Sequence, residues 1–157
     1  MAEGEVQRKI LIAMDGSKHA TGAFEWFVKN IYKDTDAVTM VYCAEPGANL
    51  SQLSQLENPS VIPTMIAEHD KETQKVLKTI DDIAKKHKVE HTVERLHQPV
   101  GESIVKAARD HKADIIVCGT RGMGVIRRTI IGSVSDYIVH HSHVPVLVCK
   151  LEDVTSE

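Results

Sequence analysis

Between Gly119 and Asp136 the chain reads Gly119-Thr-Arg121-Gly122-Met-Gly124-Val-Ile-Arg127-Arg128-Thr-Ile-Ile-Gly132-Ser133-Val134-Ser135-Asp136, with four glycines, three arginines and no acidic residue before the last position. Residues 119–135 thus carry a local charge of +3 inside a chain whose formal charge is −3. Glycine lets the backbone approach a ligand closely, and successive free N–H groups form an anion-binding nest. Gly132-Ser133 then leads into a predicted helix, whose first amides and macrodipole favour a phosphate. The hydroxyls of Ser133 and Ser135 can donate to its oxygens. This is chemistry suited to a polyphosphate.

The standard phosphate motifs do not fit. A Walker loop requires Lys-[Ser/Thr] after its second glycine, whereas the glycine spacing of Gly119 to Gly124 is followed by Val125-Ile126. A dinucleotide fingerprint belongs after the first strand, and here Gly122-Met-Gly124 follows the fourth. What the segment does contain is Gly119-x2-Gly122-x9-Gly132-Ser133.

The elements that must position these residues follow from hydropathy. Short apolar runs at Lys9 to Met14, Ala37 to Cys43, Asp114 to Cys118 and Val146 to Cys149 read as strands, and Val89 to Leu96 as a more polar strand near a sheet edge. Helical spacing of apolar residues appears from His19 to Tyr32, from Pro63 to His87, from Gly101 to Asp110 and from Ser135 to His141. Either Asp15 or Ser17 can cap the first helix. Residues 44 to 62, rich in Pro, Gly, Ser, Asn and Gln, read as a long surface loop. Strands that are continuously apolar and alternate with helices predict a parallel sheet covered on both faces. Ligands of such sheets bind beyond the carboxyl ends of the strands. Attention therefore falls on Asp15-Gly16-Ser17, on Cys43-Ala44-Glu45 and on the glycine segment.

Over nearly its whole length the sequence resembles the universal stress protein family. The resemblance is carried by Asp15 after the first strand, the Gly-x2-Gly-x9-Gly-Ser motif, the run Gly132 to Asp136 and the closing His143-Val-Pro145-Val-Leu-Val-Cys149. It implies a single domain across residues 1 to 157, with tails at 1–7 and 151–157. The fold would be an open twisted five-stranded parallel sheet in the order 3-2-1-4-5, with helices on both faces, of the adenine-nucleotide α-hydrolase-like type. It also implies ATP, or AMP or ADP, with Mg2+ accompanying the nucleotide, and a homodimer formed through the C-terminal strand. Carried over by position, Asp15 would contact the ribose or its surroundings. The backbone near Ala13 and Cys43 would line the adenine pocket. Gly119, Arg121 and Gly122 would flank ribose and phosphates, and Gly132, Ser133, Val134 and Ser135 would hold the phosphate tail. The implied role is a nucleotide-dependent regulator of the stress response. The alternatives are a slow ATPase using the same pocket and a nucleotide-free dimeric scaffold.

Composition narrows the remaining classes. The 157 residues, 42% hydrophobic and 26% charged, are those of one globular domain. The small negative charge and six scattered aromatics offer no nucleic-acid platform. The first residues, MAEGEVQRK, are polar, and no apolar stretch nears the roughly 18 residues of a membrane span, so neither signal peptide nor membrane contact is expected. Cys43, Cys118 and Cys149 lack CxxC spacing and end apolar runs, so they read as buried thiols of a reducing, cytoplasmic compartment. His140, His141 and His143 suggest a metal. Neighbouring helical positions diverge by about 100°, however, and no partner motif accompanies them, so a metal site is not expected. No catalytic residue is assigned.

Overall fold

Ile10, Leu11 and Ile12 follow one another without a polar interruption, a pattern that is stable only where both faces of a strand are covered. In a computed structural model that describes residues 7–44, 55, 57–120 and 132–150, all three are buried in the central strand. The described elements run β1 (Lys9–Met14), α1 (Lys18–Asn30), β2 (Ala37–Cys43), a 3₁₀ turn (Pro59–Val61), α2 (Ile62–Lys86), β3 (His91–Leu96), α3 (Val100–Asp110), β4 (Ile115–Gly119), α4 (Ser133–His141) and β5 (Val146–Cys149). The strands form one parallel sheet in the order β3-β2-β1-β4-β5, the order that the resemblance implied.

Several element ends differ from the expectation. Helix α4 begins at Ser133 rather than Ser135, so Ser133 belongs to the first turn. β3 starts at His91 rather than Val89 and lies at the sheet edge, as its polarity suggested. The expected loop ends earlier, because Asn58 accepts a hydrogen bond from the Ser60 N–H and Pro59 presets the turn that feeds α2. Residues 45–54 and 56 of the expected loop, and the tail residues 1–6 and 151–157, lie outside the described residues.

Parallel connections are right-handed, so a chain that steps from β1 to β2 to β3 lays its helices on one face, and one that steps from β4 to β5 lays them on the other. Accordingly, Ala20, Ala23, Phe24 and Phe27 of α1 and Ile80 and Ala84 of α2 pack with Ile10, Ile12, Met14 and Met40. On the opposite face, Ile104, Val105, Ala107 and Ala108 of α3 and Ile138 of α4 pack with Leu11, Val41 and Ile116. The direction reverses between β1 and β4, which opens the crevice where this architecture binds ligands.

Close packing of α3 on α4 depends on Gly101. A Cβ there would lie 2.6 Å from Tyr137 Cδ1 and 2.9 Å from its Cγ, near the base of a ring that is stacked on His141. The ring cannot turn aside cheaply. Gly101→Ala is expected to cost roughly 1–3 kcal/mol through overpacking, even though alanine is the better helix former. Calorimetry of the variant should show a melting temperature lower by about 2–4 °C for each kcal/mol.

Candidate functional site

At the end of β1 the chain must turn sharply into α1. Gly16 makes this turn at φ +80°, a conformation that residues with a Cβ adopt only at a cost. Asp15 Oδ1 accepts the Ser17 N–H at 2.8 Å, and Ser17 Oγ accepts the Ala20 N–H at 3.2 Å. Of the two candidate caps, Ser17 therefore caps the helix and Asp15 shapes the turn before it.

β4 ends at Gly119, beside the first turn of α1. A Cβ on Gly119 would lie 3.1 Å from the His19 carbonyl oxygen, so a glycine lets strand and helix backbones meet here. The Gly119 carbonyl accepts the Ser135 hydroxyl at 2.6 Å, and the Gly132 N–H donates to the Thr120 carbonyl at 2.6 Å. These two bonds draw the end of β4 and the start of α4 together. Arg121 and Gly122, together with Gly124, Arg127 and Arg128, lie outside the described residues.

Helix α4 opens without a side-chain cap. Its N-cap is Gly132, and the first helical bond runs from the Asp136 N–H to the Gly132 carbonyl at 2.9 Å. The amides of Ser133, Val134 and Ser135 are thus the ones that α-helical geometry leaves without an intrahelical acceptor. The hydroxyl of Ser135 is buried and donates to the Gly119 carbonyl, which differs from its expected use as a donor to phosphate.

The predicted adenine wall falls on one face of the sheet. Ala13, in register with Val41, and Cys43 belong to the apolar layer beneath α3 and α4, against which Val134 of α4 also packs. A contact that the sequence did not indicate lies nearby: Gln98, in the connection after β3, donates its side-chain amide to the Ala44 carbonyl at 2.9 Å. Its place just beyond the carboxyl end of β3 is the signal in the sequence that corresponds to this contact.

All three cysteines are unpaired and buried. Burial pushes each thiol upward, and that of Cys118 reaches about 11. A thiol held protonated is a poor nucleophile. Iodoacetamide at pH 8 is expected to spare Cys118 in the native protein and modify it in urea, as peptide mass spectrometry would report. The folded value lies above the ordinary value of 9.0, so the protonated form favours folding. This contribution is complete below about pH 9 and is lost as the pH rises toward 11, a difference worth roughly 3 kcal/mol. The stability advantage of wild type over Cys118→Ala, followed by urea unfolding, should shrink across that interval.

His140 pairs with Asp136 at 3.3 Å, and His141 Nδ1 bonds the Tyr137 carbonyl at 2.9 Å. Among the described residues no three His, Cys, Asp or Glu side chains are grouped to hold a metal, and no helix is long and apolar enough to cross a membrane.

A parallel sheet in the order 3-2-1-4-5 with helices on both faces defines an open α/β protein, and one of its helices, α4, starts without a capping side chain. The model of the universal stress protein family matches residues 7–150, and the chain belongs to that family. It is 33% identical over 153 residues to a putative universal stress protein of Staphylococcus saprophyticus, covering 96% of this chain and 87% of the relative. Among solved structures, a universal stress protein of Lactobacillus plantarum matches with a TM-score of 0.72 at 22% identity, over 92% of this chain and 99% of that one. An Arabidopsis thaliana family member with AMP bound matches at 0.64 and 14% identity, over 93% of each chain. A universal stress protein in complex with cAMP matches at 0.65 and 17% identity, over 90% of this chain and 96% of that one.

Proposed function

We propose that this chain binds an adenine nucleotide, ATP with a divalent ion, in the crevice between β1 and β4, and that it acts as a nucleotide-dependent regulator of the stress response. The observation that carries this reading is the start of α4: three amides without intrahelical acceptors, no capping side chain, and a glycine at the N-cap. Serine, threonine, aspartate or asparagine at that position would satisfy one of those amides from within the protein. Gly132 leaves them for an outside acceptor, and a phosphate suits both their geometry and the helix dipole. The motif containing Arg121 and Gly122 brings cationic charge to the same stretch of chain. The AMP- and cAMP-bearing neighbours support adenine as the base. Asp15, Ala13 and Cys43 are assigned to ribose and adenine, and Gly119 to the ribose-phosphate junction.

We assign the protein to the cytoplasm on its three unpaired cysteines. It is assigned a homodimeric state through β5, an edge strand of the sheet, whose unpaired backbone groups can extend the ladder into a second copy.

The test is mass spectrometry of nucleotide released from freshly purified protein, with calorimetric titration of Mg-ATP, AMP and cAMP. Co-purified adenine nucleotide or micromolar affinity is expected. No heat and no released nucleotide would end the reading and leave a scaffold.

A further inference from the structure

We infer that Ser135 is a positioning residue of the nucleotide site, its hydroxyl tying the end of β4 to the first turn of α4 instead of contacting phosphate. The inference rests on the reading that a nucleotide occupies this crevice. A serine hydroxyl carries one hydrogen, and the Ser135 hydrogen is donated to the Gly119 carbonyl at 2.6 Å. An ionised phosphate oxygen is an acceptor only. Facing the remaining lone pairs of Ser135, it would gain nothing and meet electrostatic repulsion.

The position of the bond matters more than its strength. Gly119 is the last residue of β4 and presses against the backbone of His19 in the first turn of α1. The companion bond from the Gly132 N–H to the Thr120 carbonyl runs between the same two chain ends. Together the two bonds join the end of β4 to Gly132 and Ser135, while Gly119 holds that end against α1. The α4 amides and the ribose side of the crevice are therefore set at a fixed mutual distance before any ligand arrives. Such preorganisation improves affinity by removing the ordering cost from binding. Ser135 is 5% exposed, so water cannot readily replace the lost bond in a variant.

Ser135→Ala, Ser135→Thr and wild type are compared by calorimetry with AMP and Mg-ATP, and by amide hydrogen exchange without nucleotide. In Ser135→Ala the affinities for AMP and ATP are expected to fall together by about tenfold, the value of one buried hydrogen bond. In the nucleotide-free variant the Gly132 and Asp136 amides should exchange faster, while those of Ile12 and Met40 in the central sheet keep their rates. Threonine retains the hydroxyl and should restore both affinity and exchange. The inference is overturned if nucleotide-free Ser135→Ala exchanges like wild type and the loss is confined to ATP, because that pattern marks a direct ligand of the outer phosphates. Unchanged affinity in Ser135→Ala beside a wild type that binds would also overturn it. Failure of wild type to bind either nucleotide would instead remove the underlying reading and this inference with it, whatever the exchange rates show.

Discussion

Replacing Gly132 with valine is expected to abolish nucleotide binding while leaving the fold intact. Gly132 sits at φ −60°, ψ 157°, extended backbone that valine adopts without strain. Its glycine character is therefore not required by conformation. What glycine provides at this position is the absence of a side chain beside the Ser133, Val134 and Ser135 amides. A branched side chain at the mouth of the helix would crowd the acceptor off those amides, and each charge-assisted hydrogen bond lost is worth about 1.5–3 kcal/mol, roughly 10- to 100-fold in affinity. The Gly132 amide survives the change and can keep its bond to Thr120. Valine is a poorer N-cap than glycine, which limits the stability cost to about 1 kcal/mol. Calorimetric titration of Mg-ATP should show at least a 100-fold weaker interaction, with a melting temperature within about 4 °C of wild type. Full affinity in the variant would move the phosphate away from α4.

Asp36→Ala is expected to produce the largest loss of stability. Asp36 is 3% exposed just before β2, and its carboxylate is held from three directions. Arg8 donates Nε to Oδ1 at 2.7 Å and Nη2 to Oδ2 at 2.6 Å, and the Lys33 N–H donates to Oδ2 at 2.9 Å. Arg8 Nη2 also reaches the Ile31 carbonyl at the end of α1, so a single ion pair joins the entry of β1, the exit of α1 and the entry of β2. Removing one partner of a buried pair costs about 3–5 kcal/mol. Arg8 is partly exposed and can recover some hydration, which places the expected cost near the lower end, about 3 kcal/mol. At about 2–4 °C per kcal/mol, the melting temperature should fall by roughly 6–12 °C.

The same pair makes a pH prediction. Burial would raise the Asp36 carboxyl, but the hydrogen bonds and charge of Arg8, with the Lys33 amide, outweigh it and hold the group below its ordinary value of 3.8. A depressed folded value means that the stabilisation is present above that ordinary value and is lost as the pH falls through the folded one. Thermal melts of wild type and Asp36→Ala should differ most near neutrality and converge as the pH falls below 3.8 and through the lower folded value. A constant gap down to acid would show that the carboxylate's charge contributes little.

Much of this architecture was legible in local patterns. Ile10 to Ile12 and Ile115 to Val117 identify buried strands because nothing polar interrupts them, and the spacing of Ala20, Ala23, Phe24 and Phe27 identifies the buried face of a helix. Both are consequences of backbone periodicity, which a short window of residues contains in full. The Gly-Ser pair at 132–133 was legible for the same reason, since a helix start and its free amides are local features. Which of Asp15 and Ser17 caps α1 was not legible, because both have the right chemistry and the choice depends on the dihedral angles that Gly16 brings to the turn.

The amino-acid sequence by itself determined the elements, the parallel sheet they must form, and the glycine- and arginine-rich stretch on which the proposed function rests. Only the tertiary structure decided that Ser135 spends its hydroxyl on Gly119, that Gln98 reaches Ala44 across 54 positions, and that Ala13 and Cys43 share an apolar layer with Val134 of α4. Periodicity says which face of an element is apolar, but not which distant backbone group its polar atoms will meet. Those partnerships arise when the sheet order brings remote strand ends together, and the single hydrogen of a serine then has one destination.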